Sequence, residues 1–181
     1  FQFLYEDKLK SMIEILGLAS SNQTLVQDFL NSKIIIKSLK KIVFRDPNWE
    51  KLLTKIRRNT CYLISNKKRN FNNWELEFII ALAEQCFCNE YIYSMDKKEE
   101  ESLEELIRML EEGEINEINI SIVACYIPLY KLVDKLPEIK SIKSQNNQFK
   151  DLLKLQVLEP LLEIELSKEI KTIGLIRNSI S

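Results

Sequence analysis

Three glycines and four prolines are all that 181 residues offer for tight turns. Strands joined by hairpins would need more of both, because Gly supplies positive φ and Pro pre-sets the turn. The apolar residues instead recur at three- and four-residue intervals, the period of one helix face. The sequence predicts an all-α chain. A first helix runs over 5–18, with Leu9, Met12, Ile13 and Leu16 on one face and Gly17 near its stop. A second carries Leu25, Val26, Phe29 and Leu30 and runs into "KIIIKSLKKIVF". The β-branched triplet there suits strand as well as helix. Ile35, Leu39 and Ile42 keep the helical spacing, and no partner strand is evident, so helix is the reading.

The third helix has the clearest start. Asp46 can cap it, and Pro47 fits its first turn, where a missing N–H costs nothing. Trp49, Leu52, Leu53, Ile56, Thr60, Leu63 and Ile64 form its face. Asn72 with Glu75 predicts a capping box for the next helix, and Asp96 with Glu99 repeats the device before Leu103, Leu106, Ile107 and Leu110. Gly113 ends that segment. A sixth helix is expected over 117–133 and a seventh over 148–170. Pro128 and Pro160 fall inside these patterns, where an interior proline costs about 3 kcal/mol; the apolar spacing runs through both, so kinks are expected. The polar run 140–148 reads as a loop that could subdivide an otherwise single domain, 1–181. No repeat of 20–50 residues emerges. About seven short-looped helices suit an irregular bundle or a solenoid-like stack.

Hydrophobic residues make up 45% of the chain and charged residues 29%, enough apolar surface for a core. The chain has no histidine, which removes the commonest general base and metal ligand. Its net charge of −1 sets up no field toward nucleic acid or anionic lipid. No apolar run approaches the roughly 20 residues that cross a bilayer, and no signal peptide is visible. Cys61, Cys86, Cys88 and Cys125 lie in apolar helical contexts and read as reduced, buried thiols of a cytoplasmic protein. The chain begins at Phe1 and ends on "RNSIS", and a fragment of a longer chain is expected. Residues 33–69 are basic and 97–117 acidic. Without interleaved aromatics the basic run reads as a solvated face, or as one side of an internal attraction, and nucleic acid is not an expected partner.

The stretch "LAEQCFCNEYIY", 82–93, concentrates the unusual residues. Cys86 and Cys88 are two apart, so on a helix they point roughly 200° from one another and cannot share a metal. Asn89, Glu90 and Tyr91 follow at the edge or core side of the same helix. A buried carboxylate needs a partner, which makes Glu90 a structural anchor for a helix end or an arginine, with a functional carboxylate as the alternative. Tyr126 and Tyr130 stand four apart around Pro128, as stacked core aromatics or as the lining of a peptide groove. Gln156, Glu159 and Glu163 form a polar line, a solvated face or a hinge. No Gly-rich phosphate loop is present. No catalytic, cofactor-binding or metal-binding residue is assigned.

Three blocks in order, "ALAEQCFCNEYIY" (81–93) with the acidic "DKKEEESLEEL" behind it, "ACYIPLYKL" (124–132) and "LLKLQVLEPLLEIELSKEI" (152–170), resemble a helical region of bacterial class I S-adenosylmethionine-dependent methyltransferases. The resemblance covers about 49–176. Many members begin with tetratricopeptide repeats, and rickettsial protein-lysine methyltransferases are similar in arrangement. In such proteins the helical region precedes the catalytic domain. The resemblance therefore implies a non-catalytic accessory domain that positions a protein substrate, self-associates or supports its own methyltransferase domain. S-adenosylmethionine would bind downstream and not in this chain. A stand-alone helical interaction scaffold is the alternative.

Overall fold

The computed structural model describes residues 31–68 and 70–180, with side chains as far as Lys171, and Asp28. The helices expected over 5–18 and 25–30, and Arg69 of the basic run, lie outside the described residues. Among the described residues there are helices and no strands. The described chain is all-α.

α1, Lys33–Lys41, forms despite its isoleucine triplet because Ile35, Ile36 and Leu39 are buried on one side. Ile42, expected on that stripe, has already left the helix and is exposed. α2, Pro47–Ser65, starts as the sequence predicts: the Asp46 carboxylate accepts from the N–H of Asn48 at 2.7 Å and of Trp49 at 3.4 Å. α3, Asn73–Cys88, opens with a complete capping box, Glu75 N–H to Asn72 Oδ1 at 3.2 Å and Asn72 N–H to Glu75 Oε2 at 3.0 Å. Residues 78–86 of α3 are buried without interruption, the mark of a helix surrounded on all sides. α1, α2 and α5 (Glu117–Val123) pack against it. α4, Lys97–Glu111, lies along α2 and α5. Its N-cap is only half a capping box: Asp96 Oδ1 accepts from Glu99 N–H at 2.9 Å, while the Glu99 carboxylate turns elsewhere. Gly113, at φ 94°, closes α4, with Glu114 N–H bonded to Met109 O at 2.9 Å.

The chain divides into two compact units between Ile127 and Pro128. The helix expected over 117–133 stops at Val123, and Pro128 instead heads a 3-10 turn, Leu129–Leu132. Proline has no N–H to continue an i→i−4 ladder, so the apolar spacing that runs through it survives as two short elements. In the second unit a further 3-10 turn, Pro137–Ser141, leads to α6, Asn147–Leu153, capped by Asn146. The expected loop 140–148 is irregular over 142–146 and is flanked by the end of that turn and the start of α6. α6 passes through a π-helical turn, Lys154–Leu158, into α7, Glu159–Ile180. Glu159 N–H bonds to Lys154 O, five residues back. The wider turn accommodates the Pro160 ring, which would clash with the carbonyl four residues before it. Leu129, Leu132, Val133, Leu136, Ile139, Phe149, Leu152, Leu153 and Val157 are the buried apolar residues of this unit among the described residues.

Candidate functional site

The polar centre of the first unit is Arg57. It stands four residues after Leu53 and three before Thr60, on the buried face of α2, and is 1% exposed. Its Nε holds Glu99 Oε1 at 3.1 Å, and Glu99 is itself 2% exposed. Its Nη2 donates to Ser94 O at 2.8 Å, with Tyr93 O at 3.4 Å from Nη1. The Tyr126 hydroxyl donates to Glu99 Oε1 at 2.6 Å. Arg58 Nε reaches Glu99 Oε2 at 3.2 Å and Asp96 Oδ2 at 3.1 Å. The guanidinium also lies 4.4 Å from the centre of the Tyr126 ring and 5.8 Å from that of Tyr93. A buried ion pair recovers its desolvation cost only when its remaining donors and acceptors are also met; here both carboxylate oxygens and the guanidinium fork are engaged.

Burial by itself would lower the pKa of Arg57, but the surrounding Tyr126 and Glu99 outweigh it and raise the value. Burial raises the Tyr126 phenol well above its usual range, and the neighbouring Cys61 adds to the effect. The Cys61 thiol is pushed up to about 12, chiefly by burial. Burial raises Cys125 as well, and Cys88, at the surface, is raised by partial desolvation and by the nearby Glu84. These thiols stay protonated at neutral pH, and a protonated thiol is a poor nucleophile. The cluster is built to hold a position.

What it holds is the connection 89–96. α3 ends in a Schellman arrangement: Tyr91 N–H bonds to Cys86 O at 2.9 Å and Glu90 N–H to Phe87 O at 3.2 Å. Glycine usually fills the left-handed position of that motif. Here Glu90 occupies it at φ 58°, and Tyr91 follows at φ 60°. Asn89 Oδ1 accepts from Tyr91 N–H at 3.2 Å, and the Tyr91 hydroxyl reaches Ala124 O at 3.4 Å. The Asn89 amide nitrogen and the Tyr93 hydroxyl are buried without a hydrogen bond, near enough to influence one another but outside bonding geometry. Beyond them Ile92 and Met95 are exposed, 63% and 40%. A shallow pocket beside the connection is lined by Glu50, Lys51, Thr54, Lys55, Arg58 and Ser94.

Two roles expected of Glu90 fall to other residues. Glu90 is exposed, because the left-handed turn carries it off the helix face that periodicity assigned to it. The carboxylate that anchors an arginine is Glu99. The side chain that anchors a helix end is Gln85, fully buried, whose amide nitrogen, turned toward α1, donates to Leu39 O at 2.6 Å and Ile42 O at 2.8 Å. The sequence did carry a signal for the ion pair: an arginine on an apolar stripe requires a partner.

Asn89 is buried and Tyr91 half-buried. Tyr126 and Tyr130 do not share a helix face, since the helix between them has ended. Tyr126 belongs to the Arg57 cluster, and Tyr130 lies half-buried in the 3-10 turn of the second unit. Gln156 is no part of a solvated line: it is fully buried, and its Oε1 accepts from Leu129 N–H at 3.3 Å. Glu159 and Glu163 are exposed. Cys86 is buried and Cys88 exposed, as their opposite facing requires, so Cys88 departs from the expectation of four buried thiols. Cys125 Sγ donates to Ser121 O at 3.4 Å.

The segregated charges meet inside the first unit. Arg57 and Arg58 of the basic run hold Glu99 of the acidic one, and Lys67 pairs with Glu114 at 2.6 Å. Lys40 reaches Glu84 at 2.7 Å. Among the described residues no three His, Cys, Asp or Glu side chains gather as metal ligands, and no helix is long and apolar enough to cross a membrane. Comparison of the chain with protein-family models, curated proteins and solved structures returns no match.

Proposed function

We propose that this chain is a non-catalytic helical accessory domain of a bacterial, cytoplasmic S-adenosylmethionine-dependent methyltransferase whose substrate is a protein. The observation that carries the reading is where the three resembling blocks fall. Block 81–93 holds Gln85 and the Schellman turn, block 124–132 holds Tyr126, and block 152–170 holds Gln156. Gln85 and Gln156 brace irregular backbone, Tyr126 braces the Arg57–Glu99 pair, and none is poised to transfer a proton or attack carbon. Such blocks suit a support for chemistry performed elsewhere, with S-adenosylmethionine bound by the catalytic domain that the resemblance implies.

The test is methyl transfer to protein from the polypeptide encoded by the complete reading frame, assayed with and without 1–181. Substrate use should fall when the segment is removed, while the isolated segment should neither bind S-adenosylmethionine nor transfer methyl groups. A reading frame with no Gly-rich cofactor loop, or cofactor bound by the isolated segment, would overturn the proposal. The second reading is a stand-alone interaction scaffold. It is favoured by exposed Ile92 and Met95 flanking Tyr93 and Ser94, whose carbonyls are fixed by Arg57. Apolar side chains on a firmly held turn suit protein docking.

A further inference from the structure

The pocket beside the connection 89–96 measures about 320 Å³, at the small end of the range for ligand clefts, about 300–1,000 Å³. Its wall on α2 is made by Lys51, Thr54, Lys55 and Arg58, spaced i, i+3, i+4 and i+7 and therefore on one side of the helix. Ser94 adds to the lining from the connection, and Glu50 is the sixth lining residue. Three cations thus stand with one carboxylate. Like charges three and four apart on a helix repel one another, and an anion held between them removes the repulsion. Arg58 commits only its Nε to neighbouring carboxylates, Glu99 Oε2 at 3.2 Å and Asp96 Oδ2 at 3.1 Å. Among the described residues its two terminal nitrogens have no partner. The lining is also held in shape. Arg57 Nη2 fixes the Ser94 carbonyl at 2.8 Å and the buried Glu99 fixes Arg58, so the donors are in place before a ligand arrives.

We infer that this pocket binds a phosphate monoester. The terminal nitrogens of Arg58 suit two oxygens of one phosphoryl group. Lys51 and Lys55 supply point charges, and the hydroxyls of Thr54 and Ser94 are further donors. A carboxylate offers two oxygens and a single charge, whereas a phosphoryl group offers three oxygens and about two charges. Five donor-bearing side chains around one small space match the second. Glu50 opposes any anion here and so keeps the affinity modest. The phosphoryl group is what the pocket recognises, whether on a small compound or on a side chain of a partner protein. The site goes beyond the accessory role proposed above, and its test reads ligand binding and not methyl transfer, so either can fail without the other.

The experiment follows the backbone amide shifts of the 181-residue chain by NMR at constant ionic strength. Inorganic phosphate is added in one series, and N-acetyl-phosphoserine-N-methylamide or its unphosphorylated form in two others. Amides of 51–58 and of Ser94 should shift saturably with both phosphates and stay still with the unphosphorylated compound. Lys51→Ala should weaken binding about two- to fivefold and Lys51→Glu about tenfold or more. Glu50→Gln should tighten it about two- to fivefold. Lys51 and Glu50 are both exposed, and a gain in affinity cannot come from damage to the fold. Tighter binding of the phosphoserine compound than of the ion assigns the source to a phosphorylated protein, and equal or weaker binding to small phosphates; the site stands in both cases. No saturable shift at these amides with either phosphate, equal binding of the unphosphorylated compound, or an affinity that ignores both Lys51→Glu and Glu50→Gln would each overturn it.

Discussion

Arg57 and Tyr126 meet face to face, the guanidinium 4.4 Å from the ring centre, while both also bond the same oxygen of Glu99. Three residues distant in sequence are thereby locked in one place, and the chain at 93–94 is held with them. Removing one member strands the rest. Glu99→Ala leaves a buried, uncompensated guanidinium and should cost about 3–5 kcal/mol, a large share of a typical total of about 5–15 kcal/mol. Tyr126→Phe, which loses one hydrogen bond, should cost about 1–2 kcal/mol. Urea unfolding followed by circular dichroism measures both. A Glu99→Ala chain within about 1 kcal/mol of wild type would mean that Arg57 finds water.

Glu90 makes the contrasting case. It is exposed, so Glu90→Ala should move stability by no more than about 0.5 kcal/mol. Its backbone is what matters. The left-handed conformation at φ 58° disfavours β-carbons, so Glu90→Gly should stabilise by up to about 1 kcal/mol and Glu90→Val should destabilise by about 1–2 kcal/mol. Thermal midpoints of the two variants should straddle the wild type; the reverse order would refute the assigned turn.

Gln85 is tested by its donors. Gln85→Ala abandons the carbonyls of Leu39 and Ile42, at about 1–3 kcal/mol. Gln85→Glu keeps the shape but offers a buried carboxylate to two carbonyl oxygens, and should be the more damaging variant. Amide hydrogen exchange in α1 should accelerate in both. Exchange confined to other helices would show that α1 draws its stability from another source.

Alkaline pH should unfold the protein progressively. The Cys61 thiol titrates near 12 when folded, against 9.0 for the ordinary group. Between those values the folded chain keeps a proton that the unfolded chain releases, so stability falls as pH rises, by up to about 1.4 kcal/mol per pH unit from this group. Tyr126 and Tyr93, also raised by burial, act in the same direction. Cys61→Ala should flatten the pH 9–12 slope relative to wild type, once its own stability loss is subtracted at neutral pH. An unchanged slope would assign the effect to the other buried groups, Cys125, Tyr126 and Tyr93.

Helix identity was legible because it depends on local pattern. Asp46, Pro47, Asn72 and Glu75 announce their helices within four residues, and the structure places them accordingly. The polar site was legible only in part, since it depends on tertiary neighbours. Arg57 sat visibly on an apolar stripe, but its partner is 42 residues away, and Glu99 had a local role as a capping residue that fitted just as well. Glu90 was misplaced because periodicity was extended one residue past the point where the backbone turns left-handed. Gln156 was read as solvated for a related reason: a π turn shifts the phase of every later position, and nothing in a 3.6-residue pattern announces one.

That turn has a directional consequence. Each residue of an α-helix advances the surface by about 100°, and the turn at Lys154–Leu158 inserts roughly one residue into the spiral. It therefore acts as an azimuthal setting between α6, whose Phe149, Leu152 and Leu153 face inward, and α7, whose leucines face out. Deleting a single codon there would swing the outer leucines by about a quarter-turn and bring the Pro160 ring against the carbonyl four residues before it. The direction in which α7 leaves α6 is thus set by the one extra residue of this turn.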